Sequence, residues 1–183
     1  MASALVLKRD GSFLYFLSMG SLDEQAAGKW RREGKLIRLE TIPKPIAAIF
    51  AAGSVAKSDG APLILHVVSP EGRGIAAVDL KVGFDTGEPV EGYTQDYGWS
   101  LAAEEGRVPR WVQFFVPIYG LQSARFAIDT AVGNALTFVL IPNDLGILDM
   151  ADIVLEVQPG RLLMHRNGGE LEFDLENAGA GDD

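Results

Sequence analysis

The sequence predicts an all-β protein: an antiparallel β-sandwich with an N-terminal hairpin module and few or no helices. Three observations carry this. Apolar residues alternate with polar ones over short runs, as at Leu5, Leu7, Phe13, Tyr15 and Leu17, which is the period-two burial of a half-covered strand. Glycine-containing reversals punctuate the runs every ten residues or so, at about the spacing of sandwich strands. No stretch carries a long amphipathic helical stripe.

Three hairpins stand out. Asp10-Gly11, Glu33-Gly34 and Asn167-Gly168-Gly169 each separate two alternating runs, and a carboxylate or amide residue followed by Gly suits the positive φ of a tight reversal. Each turn is entered through basic residues: Lys8-Arg9, Arg31-Arg32 and His165-Arg166. The third hairpin is expected to return beside the first two. Ser21, followed three residues later by Glu24, reads as a capping box, with at most one helical turn inside a loop.

Pro43 and Pro45 mark a connector, because proline disfavours both helix and ladder pairing. Strands are then predicted over 46–52, 62–69, 75–84, 110–116, 125–129, 136–141 and 152–157. Residues 121–132 also fit a helical stripe, but neighbouring strands and the Gly133-Asn134 turn favour β. The resulting division is a hairpin module over 1–45, a sandwich over 46–158, a C-terminal hairpin over 159–175 that packs on the first module, and a disordered tail over 176–183.

The chain has 183 residues, 48% hydrophobic, with a net charge of −9. That charge is segregated. Residues 1–50 carry eight Lys/Arg against five Asp/Glu, a net +3, and the remainder carries −12. An acidic body argues against nucleic acid, whose phosphates need a basic surface. No apolar run reaches the length of a membrane-spanning helix. With no cysteine, disulfides and thiol chemistry are excluded. The first strand begins almost at once, as in a chain trimmed of an export signal. A periplasmic or secreted location is therefore expected, with the cytoplasm left open.

Two resemblances follow from particular residues. Val78-Asp79-Leu80-Lys81-Val82, then Gly87-Glu88-Pro89-Val90-Glu91-Gly92-Tyr93-Thr94, then Asp96-Tyr97-Gly98-Trp99 resembles transthyretin-like and carboxypeptidase-regulatory-like β-sandwich domains. There the motif marks a strand, a turn and the next strand. Gly28-x-Trp30 with Lys35-x-Ile37-x-Leu39 is similar to the hairpins of lipocalin-like barrels. The resemblance implies ligand or partner binding, mostly without catalysis. The whole chain also looks like uncharacterised bacterial exported proteins.

Candidate sites cluster in the acidic loop. Asp85, Glu88, Glu91 and Asp96 are the residues a metal would use; calcium, with its oxygen ligands, is the cofactor that suits them, and no other is expected. The same acids lie on a solvated hairpin if no metal binds. Tyr93, Asp96, Tyr97 and Trp99 are the ligand-binding candidates, since large aromatics at a loop tip bury little unless something binds. On that reading Trp99→Ala leaves folding intact and weakens binding. Asn143-Asp144 and Asp149 read as turn residues. His66 and His165 are the only histidines. A triad would have to draw on one of them with a serine such as Ser69, and no Gly-x-Ser-x-Gly elbow is present.

The expected function is a non-catalytic binding module with a protein, peptide or glycan partner. Two alternatives are carried with it: a carbohydrate- or peptide-acting hydrolase with paired carboxylates, and a structural protein that forms homo-oligomers through strand edges.

Overall fold

The structure, a computed structural model, describes residues 2–166 and 169–174. It is all-β. The helical element among these residues is one 3-10 turn, Pro117–Tyr119, and no helix is long and apolar enough to cross a membrane. The predicted helix-or-strand segment 121–132 contains two short strands. The turn residues Asn167 and Gly168 and the predicted tail 176–183 lie outside the described residues.

The chain forms two units. The first comprises residues 1–46 and 146–183, and the second, 47–145, is inserted between them. Strands are numbered in chain order. The first unit holds β1 (Ala2–Leu7), β2 (Ser12–Met19), β3 (Leu22–Glu33) and β4 (Leu36–Thr41), then β14 (Val154–Gln158), β15 (Arg161–Arg166) and β16 (Gly169–Asp174). They form one sheet in the order β1-β2-β3-β4-β14-β15-β16, antiparallel throughout. Residues 146–158, expected in the sandwich, belong here. Leu155 lies opposite both Ile37 and Met164 and is fully buried with them in the first unit's core. Alternation showed that 152–157 is a strand but not which strands it neighbours.

This sheet curls so that its two ends meet across its own core. The Tyr15 and Phe173 rings, from β2 and β16, meet edge to face at 6.3 Å. Arg166 spans from β15 to Glu24 on β3 with a fork of two bonds, the Nη2–Oε1 bond being 2.7 Å. Glu24 is 9% exposed. The predicted capping turn at Ser21 is absent for this reason: residues 22–24 continue as strand, and the Glu24 carboxylate reaches across the interior to Arg166. The Tyr15 hydroxyl is buried beside this pair and lacks a hydrogen-bond partner among the described residues. Burial, then the Glu24 charge, pushes its pKa up. Thr41 ties in the returning chain, its hydroxyl donating to Leu148 O at 2.7 Å and accepting from Met150 N. Met150 is completely buried.

The second unit is a sandwich. One sheet joins β7 (Asp79–Phe84), β8 (Val90–Tyr93), β10 (Pro109–Val116), β11 (Leu121–Gln122) and β12 (Phe126–Ala127). The other joins β5 (Ile49–Ala56), β6 (Ile64–Val68), β9 (Trp99–Ser100) and β13 (Ala135–Ile141). Pairing is antiparallel except between β6 and β13, which run parallel. Leu80, Val82, Val112 and Phe114 face Leu65, Val67, Leu136 and Phe138 across one core. Phe114 stacks on Phe50 at 5.3 Å and tilts against Phe138 at 4.8 Å. The predicted strand over 75–84 begins only at Asp79, because Ala77 takes a left-handed φ of 59° and donates to Thr94 O instead of to a ladder.

Breaking a buried charge pair strands its partner without water. Glu24→Ala is therefore expected to lower the unfolding free energy in urea by about 3–5 kcal/mol. Glu33→Ala, at an exposed pair, should leave the urea midpoint nearly unchanged. Equal midpoints for the two variants would show that the Glu24 pair is solvated.

Candidate functional site

The site lies at one end of the sandwich, where the chain leaves β8 and returns as β9. Thr94, fully buried, anchors the entry. Its hydroxyl donates to Ile75 O at 2.7 Å and accepts from Val78 N at 3.2 Å. Gln95 and Gly98 then exchange two backbone hydrogen bonds of 2.9 Å, closing a tight reversal over Asp96 and Tyr97. The Asp96 carboxylate accepts from Tyr97 N at 2.9 Å, the self-capping that makes Asp a turn residue.

Glycines set how closely the chains approach. Gly98 has φ +99°, and a Cβ there would fall 2.7 Å from both His66 Nδ1 and Leu65 O. A Cβ on Gly74 would meet Asp96 O at 1.7 Å. Opposite them, the Trp99 indole lies over Gly92, where a Cβ would sit 2.4 Å from Nε1. The tip is thus held from three sides.

The result is a depression of about 280 Å³ lined by Gly92, Tyr93, Gln95, Tyr97, Gly98, Trp99 and Ser100. Tyr93 is 58% exposed and Tyr97 75% exposed. Of the four ligand-binding candidates, three line it and Asp96 does not, its carboxylate being used within the turn. Trp99 is only partly exposed and packs against the sandwich core. The expectation that it is a free platform is corrected: it is the wall of the site and part of the fold. His66, half-buried against Gly98, was weighed from the sequence only as a triad histidine and not as a neighbour of this loop. Its place depends on β6 pairing with β9, which alternation does not reveal.

The other two tryptophans also have structural tasks. Trp30 Nε1 donates to Lys8 O at 2.9 Å. Trp111 covers Gly83, a Cβ there falling 2.0 Å from the ring, and the Arg125 guanidinium stacks on the indole at 4.0 Å, a cation–π arrangement.

The candidate metal set is not brought together. Among the described residues no group of three or more His, Asp or Glu side chains is placed to hold a metal. Glu91 pairs with Lys81 at 2.7 Å across β8 and β7. Asp85 accepts from Val108 N. Arg107 occupies the loop's carbonyls, donating to Glu88 O at 2.8 Å and Thr86 O at 3.4 Å. It also stacks on Phe84 at 4.1 Å and grips Glu105 with bonds of 2.8 and 2.7 Å. Those bonds hold the Glu105 carboxyl down to about 2. Arg107 thus meets two carbonyls of this loop and the Glu105 carboxylate. Likewise Asp149 lies 3.6 Å from Lys44, and Asn143 donates to Ala47 O at 2.8 Å.

Comparison with protein families, curated proteins and solved structures found no match.

Two substitutions separate wall from platform. Gly92→Ala drives a methyl group into the Trp99 indole and is expected to cost about 1–3 kcal/mol in urea unfolding, the usual range for overpacking. Trp99→Ala should cost about 3 kcal/mol, the low end for an aromatic truncation because the ring is only partly buried. A Trp99→Ala midpoint equal to that of the unmutated chain would return Trp99 to the role of an exposed platform.

Proposed function

We propose that this chain is a non-catalytic binding module whose second unit takes a sugar residue of a glycan at the Tyr93–Tyr97 depression. The observation that carries the reading is the exposure of two tyrosines, Tyr93 at the end of β8 and Tyr97 on the anchored turn that follows it. An aromatic face left in water at a rigid position gains by stacking on the apolar side of a ligand. Gln95 and Ser100 supply an amide and a hydroxyl for sugar hydroxyls, with the orienting role that polar groups have in small-molecule sites. None of the lining residues carries a carboxylate, which favours binding over paired-carboxylate hydrolysis. The strand–turn–strand of β7 and β8, formed by the residues that resemble transthyretin-like domains, supports the same reading.

Magnitudes favour a weak, open site. Covering two exposed rings contributes about 2–4 kcal/mol, which corresponds to dissociation constants of about 1–30 mM. Avidity or a second contact would then set physiological strength. A glycan array read with a multivalent form of the chain is expected to give hits that Tyr97→Ala and Tyr93→Ala abolish while their melting curves match the parent. Hits that survive both substitutions, or no hits beside peptide binding at the same residues, would remove the glycan assignment.

A second reading, self-association, is favoured by two strand edges. β1 and β5 border their sheets, and neither contains a charged residue or proline. Edges of this kind are templates for pairing unless guarded. β16, the opposite edge of the first sheet, is guarded by Glu170, Glu172 and Asp174. Light scattering over a concentration series should show an oligomer that Ala4→Lys or Ser54→Lys returns to monomer. A monomer at every concentration rules this reading out.

A further inference from the structure

We propose that Lys29, Arg31 and Arg38 form an oxyanion-binding site on the first unit, shaped for a phosphate or sulfate group. The site is separate from the tyrosine depression and does not depend on the reading given to it.

The argument begins with register. β3 and β4 set Arg31 directly opposite Arg38, and Lys29 opposite Glu40. Like charges directly opposite on neighbouring strands destabilise a sheet. Here they are retained side by side, and one carboxylate bridges them. Glu33 accepts from Arg31 Nε at 2.8 Å through one oxygen and from Arg38 Nε at 2.6 Å through the other. A guanidinium has five N–H donors in a planar fork, and Glu33 takes only the Nε donor of each. The terminal nitrogens of both forks are left without a hydrogen-bond partner among the described residues, and Lys29 enters no ion pair among them.

These groups converge on one concavity. Lys29, Trp30, Arg31, Arg38, Leu39, Glu40 and Ala151 line a depression of about 410 Å³. Three cations face one lining carboxylate, and with Glu33 included the site still keeps a net positive charge. Paired guanidinium forks suit an anion that accepts several hydrogen bonds at once, as a tetrahedral oxyanion does. A halide, with no directional lone-pair geometry to match two forks, has less to gain. The surrounding charge makes the site distinctive: this basic group lies within the +3 of the first 50 residues, in a chain whose remainder carries −12.

The test is a titration followed by ¹H–¹⁵N spectra of the arginine Nε–H groups and of the backbone amides of Trp30 and Leu39, which also line the depression and still report when the arginines are replaced. Inorganic phosphate and inorganic sulfate serve as probes, with ionic strength held constant by chloride. The expected result is a saturable shift at Arg31 and Arg38, with none at Arg73 in the second unit. Replacing both, R31Q with R38Q, should weaken binding by about tenfold or more, as loss of charge-assisted contacts predicts. Lys57→Gln, which removes one positive charge from the second unit, should change nothing. Glu33→Gln frees both Nε donors and is expected to tighten binding several-fold. The double variant removes a like-charge opposition, so its melting temperature should not fall. Shifts that grow linearly with anion and appear equally at Arg73, or affinity unchanged in the double variant, overturn the proposal.

Discussion

The contact of the Trp99 indole with Gly92 is the constraint on which the candidate site depends. The indole fills the space that any side chain at residue 92 would need, and in doing so seats β9 against β6. Gly98, in a conformation other residues adopt only under strain, then lets the returning chain touch His66 and Leu65. Thr94 closes the other side from a fully buried position. With both ends of a short reversal held, the tyrosines cannot reach the core. Burying an aromatic side chain is worth about 2 kcal/mol, so their exposure persists only because the backbone offers no route inward. A backbone held in this way would lose little further freedom on meeting a ligand.

Arginine carries out three different tasks in this chain, and burial separates them. Inside the curled sheet, Arg166 and Glu24 are withdrawn from water, where two ions are tolerated only as a well-formed pair. At the acidic loop of the second unit, Arg107 satisfies loop carbonyls and Glu105 together, and the ring of Phe84 lies beneath it. On the outer face of β3 and β4, Arg31 and Arg38 share one exposed carboxylate and keep donors to spare. The first two are closed networks. The third is open, and this is what sets it apart from the other two.

Much of the fold was legible in the sequence. The reversals at Asp10-Gly11 and Glu33-Gly34 do join paired strands, and the runs around 167–169 pair as β15 and β16. Alternation at Phe13, Tyr15 and Leu17 marked the buried face of β2 correctly. These are local signals: a turn depends on two or three residues, and a strand's facing depends on period two. What failed was non-local. Ser21 and Glu24 match a capping box by spacing, yet the carboxylate finds Arg166, 142 positions away. Residues 152–157 read as a strand of the sandwich because they follow it in the chain, yet they fill the gap between β4 and β15.

The amino-acid sequence by itself determined the class of the protein, its strands, most of its reversals and the stretch in which the exposed aromatics occur. Tertiary structure alone decided which aromatic is wall and which is surface, and which acid meets which arginine. It also decided that the acidic loop closes on a guanidinium. The physical reason is range. Backbone preference and alternation act over a few residues, whereas the partner of a buried charge and the cover of an indole depend on which strands become neighbours.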